Sequence, residues 1–228
     1  MNYINSRGKR PHRVDNYRHR GLRHQLVNTL RRKGISDENV LGAISIIPRH
    51  YMLDKAFEDW AYKDMAFPIE SGQTISMPYT VALQSQLLEV KRGDKIFEVG
   101  TGSGYQAVVL HTLGAKVYTI ERQRTLFERT SKLLPEIGYH QIRTLYGDGY
   151  QGSPRFAPYD KVIITAGASR FPDKLLAQLK VGGIMVIPEG SGTNQVLMRY
   201  IKTSEGSYKK ENHGPCAFVP MLAGINEK

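Results

Sequence analysis

Apolar positions change period twice along the chain. From Gly21 to Lys33, Leu22, Leu26 and Leu30 recur every four residues with Val27 beside them, which predicts a helix with one apolar stripe ending at Gly34. Ser36-Asp37-Glu38 opens a second helix whose inner face carries Val40, Leu41, Ile44 and Ile47, and Pro48 stops it. Residues 51–92 are less regular until Thr80–Val90, where Val81, Leu83, Leu87 and Leu88 predict a third helix. Beyond this, short apolar runs alternate with helical segments. Strand Lys95–Val99 leads to helix Tyr105–Leu113, and strand Lys116–Ile120 to helix Arg124–Glu136. Strands Gln141–Tyr146 and Lys161–Thr165 follow, then helix Asp173–Leu179, strand Gly183–Pro188 and a hairpin-like region over Gln195–Val219. Such alternation predicts an α/β fold, a doubly wound and mostly parallel sheet covered on both faces, with helices added at the N-terminal side. Ligands of such sheets sit at the carboxyl ends of the strands. Glu98–Gly104, Glu121, Asp148 and Thr165 all fall at such ends.

The segment Glu98-Val99-Gly100-Thr101-Gly102-Ser103-Gly104-Tyr105-Gln106-Ala107 joins a strand to a helix start. Glycines there permit positive φ and leave bare backbone for a ligand, and the helix N-terminus offers free N–H groups. Gly102 to Ala107 also fits the G-x-G-x-x-G/A dinucleotide fingerprint, so a dinucleotide and S-adenosylmethionine are both open. Glu121 would accept from ribose hydroxyls in either case. Three features favour S-adenosylmethionine. Glu98 would repel a pyrophosphate but suits the ammonium of a methionine moiety. Gly147-Asp148-Gly149 follows the third strand, where a carboxylate and a backbone N–H can meet adenine. No His/Arg pair or Ser/Tyr/Lys set at dehydrogenase spacing is apparent.

The net charge of +11 is uneven: residues 1–33 hold ten Lys/Arg against Asp15 alone, leaving the rest of the 228 residues nearly neutral. Residues 1–20 read as a basic, disordered arm. Residues 21–228 read as one domain, with helices and an active-site loop over 21–92 and a nucleotide-binding core over 93–228. A basic arm can meet nucleic acid, which raises two rivals. A nucleic-acid methyltransferase acting on amino groups would show Asn/Asp-Pro-Pro-aromatic after the fourth strand, where this chain has Thr165-Ala166-Gly167-Ala168. An RNA-binding module would want a basic face interleaved with aromatics on the folded part, and the arm offers only Tyr3 and Tyr17. Cys216, the single cysteine, excludes an internal disulfide and suits a reducing, cytoplasmic setting. No apolar run approaches a membrane span. No metal is expected, and a monomer is.

Gly72-Gln73-Thr74-Ile75-Ser76-Met77-Pro78 reads locally as a turn, an exposed Thr/Ser pair and a helix start in which Ser76 could serve as N-cap. Together with the glycine loop, Ile47-Pro48-Arg49-His50-Tyr51, Ala61-Tyr62-Lys63-Asp64, Tyr118-Thr119-Ile120-Glu121-Arg122, Gly147-Asp148-Gly149, Ala157-Pro158-Tyr159-Asp160, Leu179-Lys180-Val181-Gly182-Gly183 and Phe218-Val219-Pro220-Met221, it resembles the protein-L-isoaspartate O-methyltransferases, in order from about residue 22 to about residue 222. The resemblance implies a Rossmann-like class I methyltransferase. Its reaction moves a methyl group from S-adenosylmethionine to the free α-carboxylate of L-isoaspartyl residues in damaged proteins and peptides. The product S-adenosylhomocysteine remains, and the ester collapses to a succinimide. By similarity Ser76 is the catalytic residue, aiming the carboxylate, and Thr74 shares the substrate side. Gln73, Thr74, Ile75 and Ser76 flank the cofactor. Glu98, Gly100, Gly102, Ser103 and Gly104 pack on its methionine part, Glu121 and Arg122 on ribose, Asp148 and Gly149 on adenine, with Thr165 nearby. Gln195 and the strand Phe218, Val219, Pro220 resemble the substrate-side wall. The first 20 residues lie outside the family pattern.

Overall fold

The computed structural model describes residues 14–227. Two helices lead: α1 (Tyr17–Arg32) and α2 (Glu38–Ile46). The small hairpin β1 (Phe67–Pro68) and β2 (Thr74–Ile75) precedes α3 (Pro78–Leu88). The alternating part follows as β3 (Lys95–Val99), α4 (Tyr105–Thr112), β4 (Lys116–Glu121), α5 (Arg124–Glu136), β5 (Arg143–Tyr146), β6 (Tyr159–Ile164), α6 (Asp173–Ala177), β7 (Leu179–Ser191), β8 (Asn194–Ser204) and β9 (Ser207–Cys216). The main sheet has the order β5-β4-β3-β6-β7-β8-β9, parallel through β7 and antiparallel beyond it.

α1 begins at Tyr17, so residues 17–20, expected in the arm, are helical. Asn16 caps the helix, accepting from the His19 N–H at 3.0 Å. The Arg23 guanidinium binds both oxygens of Asp15 at 2.7 Å, which fixes the chain just before the helix. A four-residue stripe could not reveal this, because the contacts are polar and long-range. Residues 1–13, the rest of the expected arm, lie outside the described residues. The 3.6-period and 2-period readings otherwise hold to within a few residues at each end, except that β7 starts at Leu179 and runs to Ser191.

Alternation along the strands sorts the core into two layers. Ile96, Val117, Ile163 and Ile184 face the layer that holds α1 to α4, while Phe97, Val99, Val162, Ile164 and Met185 face the other. β3 pairs with β4 on one side and β6 on the other, so the strand order reverses between β3 and β6. Their carboxyl ends open the crevice where such sheets bind ligands.

Candidate active site

At the ends of β3 and β4 the chain turns sharply. Gly100, Gly102 and Gly104 all take positive φ. At Gly100 a Cβ would stand 2.6 Å from the Thr165 hydroxyl, so the turn needs bare backbone for packing as well as for φ. The loop is closed from several sides. The Gly100 N–H donates to the Ile120 carbonyl at 2.9 Å, and the Thr165 hydroxyl bridges the carbonyls of Val99 and Gly100. Glu121, buried at the end of β4, accepts the N–H groups of Gly102 and Gln123, each at 2.9 Å. Each oxygen keeps a further lone pair, which is what a ribose diol would use.

Glu98 is fully buried on β3, and neither oxygen has a hydrogen-bond partner among the described residues. Burial pushes its carboxyl up to about 8; the nearby Thr119 hydroxyl opposes this, and the charge of Glu121 adds to it. An orphaned carboxyl lining a cleft is costly to leave alone and is suited to meet a cation or a donor there.

The cleft holds about 860 Å³ of empty space including its mouth, within the usual range of ligand sites. Of the expected residues, Gln73, Thr74, Ile75, Ser76, Glu98, Gly100, Gly102, Ser103, Glu121, Arg122, Gly149, Thr165, Val219 and Pro220 line it. The Ser76 hydroxyl is not a helix cap: Met77 occupies the N-cap of α3, with no side-chain bond. Gly149 is a packing glycine, since a Cβ there would overlap the Val99 side chain.

Four expected residues stand back from the cleft. Gly104 caps α4, where a Cβ would press on Leu134 and Thr130 at 3.0 Å. Asp148 accepts from the N–H groups of Tyr150 at 2.8 Å and Gly224 at 2.9 Å, bracing the C-terminal segment. Gln195 is buried behind the wall. Its amide donates to the Phe218 carbonyl and accepts the Phe218 N–H, both at 2.9 Å, so it holds Phe218 as a neighbouring strand would. Phe218 thereby spends its backbone inward and does not line the cleft.

The wall itself is a strand edge. Gly167 donates to the Val219 carbonyl and accepts the Met221 N–H, both at 2.8 Å. The Pro220 carbonyl, on the opposite side of the strand, takes no part in this bridge. Sequence reasoning missed Tyr105, Gln106, Gln123, Met221 and Leu222 as lining residues. The first two sit within the glycine-loop motif, whose helix was read only as an N-terminus. It also assigned no part to Arg49, which is fully buried and donates to the Ser76 carbonyl at 2.8 Å.

Asp15, His19 and His50 bring ligand atoms within 4.8 Å of one another, the arrangement among the described residues nearest to a metal site. Its groups are already engaged: Asp15 by Arg23, the His50 Nδ1 by the Tyr62 hydroxyl at 2.6 Å, the His19 Nε2 by Glu58 at 3.2 Å. Burial, then the neighbouring His19, pushes His50 down to about 4, and the Arg23 guanidinium adds a positive charge beside Asp15. Cys216 is half-buried and pushed up to about 11 by burial, the opposite of an activated thiol. No helix among the described residues is long and apolar enough to cross a membrane.

A seven-stranded, mostly parallel sheet with a glycine-lined crevice at its reversal point and acidic ends on β3 and β4 defines a Rossmann-like class I S-adenosylmethionine-dependent methyltransferase. The family model for protein-L-isoaspartate(D-aspartate) O-methyltransferase matches residues 21–226, and the chain belongs to that family. A protein-L-isoaspartate O-methyltransferase of Christiangramia forsetii is 56% identical over 212 residues, covering 93% of this chain and 99% of its own. One of Cytophaga hutchinsonii is 51% identical over 216 residues, covering 94% and 97%. A solved protein-L-isoaspartate O-methyltransferase superposes with TM-score 0.79 at 26% identity over 87% of this chain, which spans 65% of that solved chain. A family candidate from Plasmodium falciparum, solved with S-adenosyl-L-homocysteine, superposes with TM-score 0.76 at 24% identity, covering 87% and 97%.

Proposed function

We propose that Ser76 aims the acceptor carboxylate in the cleft between the glycine loop and the Val219–Pro220 edge. The reaction is that of the family: methylation of the free α-carboxylate of isoaspartyl residues, which starts their repair through a succinimide. S-adenosylmethionine supplies a methyl group already activated by its sulfonium. The residues fit that group: Glu98 has two oxygens in want of a donor, Glu121 keeps lone pairs for a diol, and Gly100 and Gly102 leave backbone bare. Gly149 forms the adenine side, with Asp148 bracing the segment behind it.

The chain's own work is mostly positional. An ionised carboxylate is a nucleophile without help, so no general base is needed. Ser76 and Thr74 line the cleft, and among the described residues no bond to a base activates either hydroxyl. A Ser76 hydroxyl donated to one carboxylate oxygen holds the other in line with the methyl carbon, and the surrounding walls exclude water. The Pro220 carbonyl, on the side of the strand away from Gly167, can accept from an extended peptide, recognising backbone and tolerating varied side chains. An isoaspartyl residue runs its chain through the side-chain carboxyl, which leaves the α-carboxylate free to point into the cleft.

The observation that carries this reading is Ser76 and Glu98 lining one cleft, the hydroxyl uncapped and the carboxyl unpartnered. The lone half-buried thiol supports a reducing, cytoplasmic setting. Purified protein with radiolabelled S-adenosylmethionine should label an isoaspartyl peptide and not its normal-aspartyl twin. Equal labelling of the two peptides overturns the reading.

A further inference from the structure

Arg49 sits where a positive charge is difficult to keep. Its side chain is completely buried, and no carboxylate lies within ion-pair distance of it among the described residues. Its Nε and Nη1 lack hydrogen-bond partners. Burial pulls its guanidinium down to about 10, which still leaves it charged at neutral pH. A buried, unpaired charge subtracts from stability, and an apolar residue of similar volume is often tolerated as well or better in such a place. Packing therefore does not explain why an arginine is there.

Its two contacts do. The Nη2 donates to the Ser76 carbonyl at 2.8 Å, and the guanidinium lies 4.5 Å from the centre of the Tyr105 ring. Tyr105 is the first residue of α4, directly behind the glycine loop, and both Tyr105 and Ser76 line the cleft. One planar group thus ties the segment carrying the hydroxyl to the helix whose N-terminus frames the cofactor side. The fork suits this: its central carbon lies over the ring while one nitrogen donates to the carbonyl, a combination a compact ammonium does not reproduce.

We propose that Arg49 is a positioning residue for methyl transfer, fixing Ser76 against the glycine-loop helix through the Ser76 carbonyl and the Tyr105 ring. The assignment rests on the role given to Ser76 above. The Arg49 side chain is itself absent from the cleft lining, so it acts through Ser76 and touches neither substrate nor cofactor.

The test measures kcat and both KM values with an isoaspartyl peptide for Arg49→Met, Arg49→Lys, Ser76→Ala and the double variant Arg49→Met/Ser76→Ala, with thermal melts of each. Misplacement of a positioned group costs on the order of 10- to 100-fold in rate, so Arg49→Met should lose about that much in kcat while KM for S-adenosylmethionine stays within about threefold. Arg49→Lys keeps charge and fold and should recover part of the rate. The double variant should turn over nearly as fast as Ser76→Ala alone, because both changes remove one function. Arg49→Met should melt no lower than the parent protein, as expected for removing a buried unpaired charge. Unchanged turnover in Ser76→Ala sinks the Ser76 reading and this assignment with it. A slow Ser76→Ala with a double variant slowed by the product of the two single effects overturns the Arg49 assignment alone. So does a parallel fall in melting temperature and cofactor affinity in both Arg49 variants, which marks a merely structural residue.

Discussion

Replacing Glu98 by Gln tests the electrostatics of the cleft directly. The carboxyl sits at about 8 in the folded protein against an ordinary 4.5, chiefly because it is buried. The folded state therefore keeps a proton that the unfolded chain gives up across this window. A folded-state value raised above the unfolded one means stability that is complete below pH 4.5 and drains away as pH rises to about 8. At about 1.4 kcal/mol per pH unit, the loss over the whole window is about 5 kcal/mol. Glu98→Gln fills nearly the same volume, does not ionise and should lack this slope. Urea unfolding of the cofactor-free parent and variant, at steps from acid to mildly alkaline pH, reads the difference. The variant's relative stability should climb through the window and level off above it. Saturating S-adenosylhomocysteine should shrink the gap at the alkaline end, since in the proposed site its ammonium would give the ionised carboxylate a partner. Two stability curves that keep a constant separation at every pH would refute the assignment of a buried, proton-holding carboxyl at this position.

Ser76→Ala should lower kcat by roughly 10- to 100-fold, the worth of one hydrogen bond to a charged group, and leave the cofactor dissociation constant within about twofold; isothermal titration with S-adenosylhomocysteine checks the second half, and a large loss there would move the hydroxyl to the cofactor's side. Gln195→Ala frees both backbone groups of Phe218, so the wall should loosen and KM for peptide rise several-fold, with a stability loss of about 1–3 kcal/mol from the two bonds; an unchanged peptide KM would detach Gln195 from the substrate side.

What the sequence made legible follows periodicity and motif. Apolar spacing located β3, β4, β6 and the middle of β7, because a strand buried on both faces reads as a short apolar run whatever its neighbours, while the half-buried edge strand β5 was found by its place in the alternation. The glycines of the loop announced themselves by spacing, and the structure gives Gly100, Gly102 and Gly104 the positive φ that such a turn demands. Side-chain direction was not legible. Asp148 and Gln195 stand at the right places in the chain, yet their polar atoms are used on Gly224 and Phe218, partners 76 and 23 residues away. The start of α1 was misplaced because a capping Asn and an Arg–Asp pair, rather than an apolar stripe, extend it to Tyr17. Arg49 was read only as part of a motif, since nothing local distinguishes an arginine that will be wholly buried from one on the surface.

Two features that folding alone would disfavour lie at or just behind the cleft: a carboxyl on β3 that lines it and a guanidinium just after α2 that does not, both fully buried and neither with an ion-pair partner. Each lowers stability where it stands, and each is next to a group to which the proposed mechanism gives a part. Glu98 lines the space beside the bare glycine backbone, while Arg49 grips the loop that carries the hydroxyl. Strain and unpaired charge persist in a fold only when surrounding structure over-determines them, and here the surroundings are the rigid ends of β3 and α4. The chemistry asks for little acid–base work, so the cost goes into geometry: a site that starts with an activated donor and a ready nucleophile needs its walls fixed more than it needs a base. On that logic, variants that relax the walls should lose rate without gaining a new pH dependence of kcat. Any variant of Ser76 or Arg49 whose kcat profile acquires a fresh titration would show that a proton transfer had been hidden in the step all along.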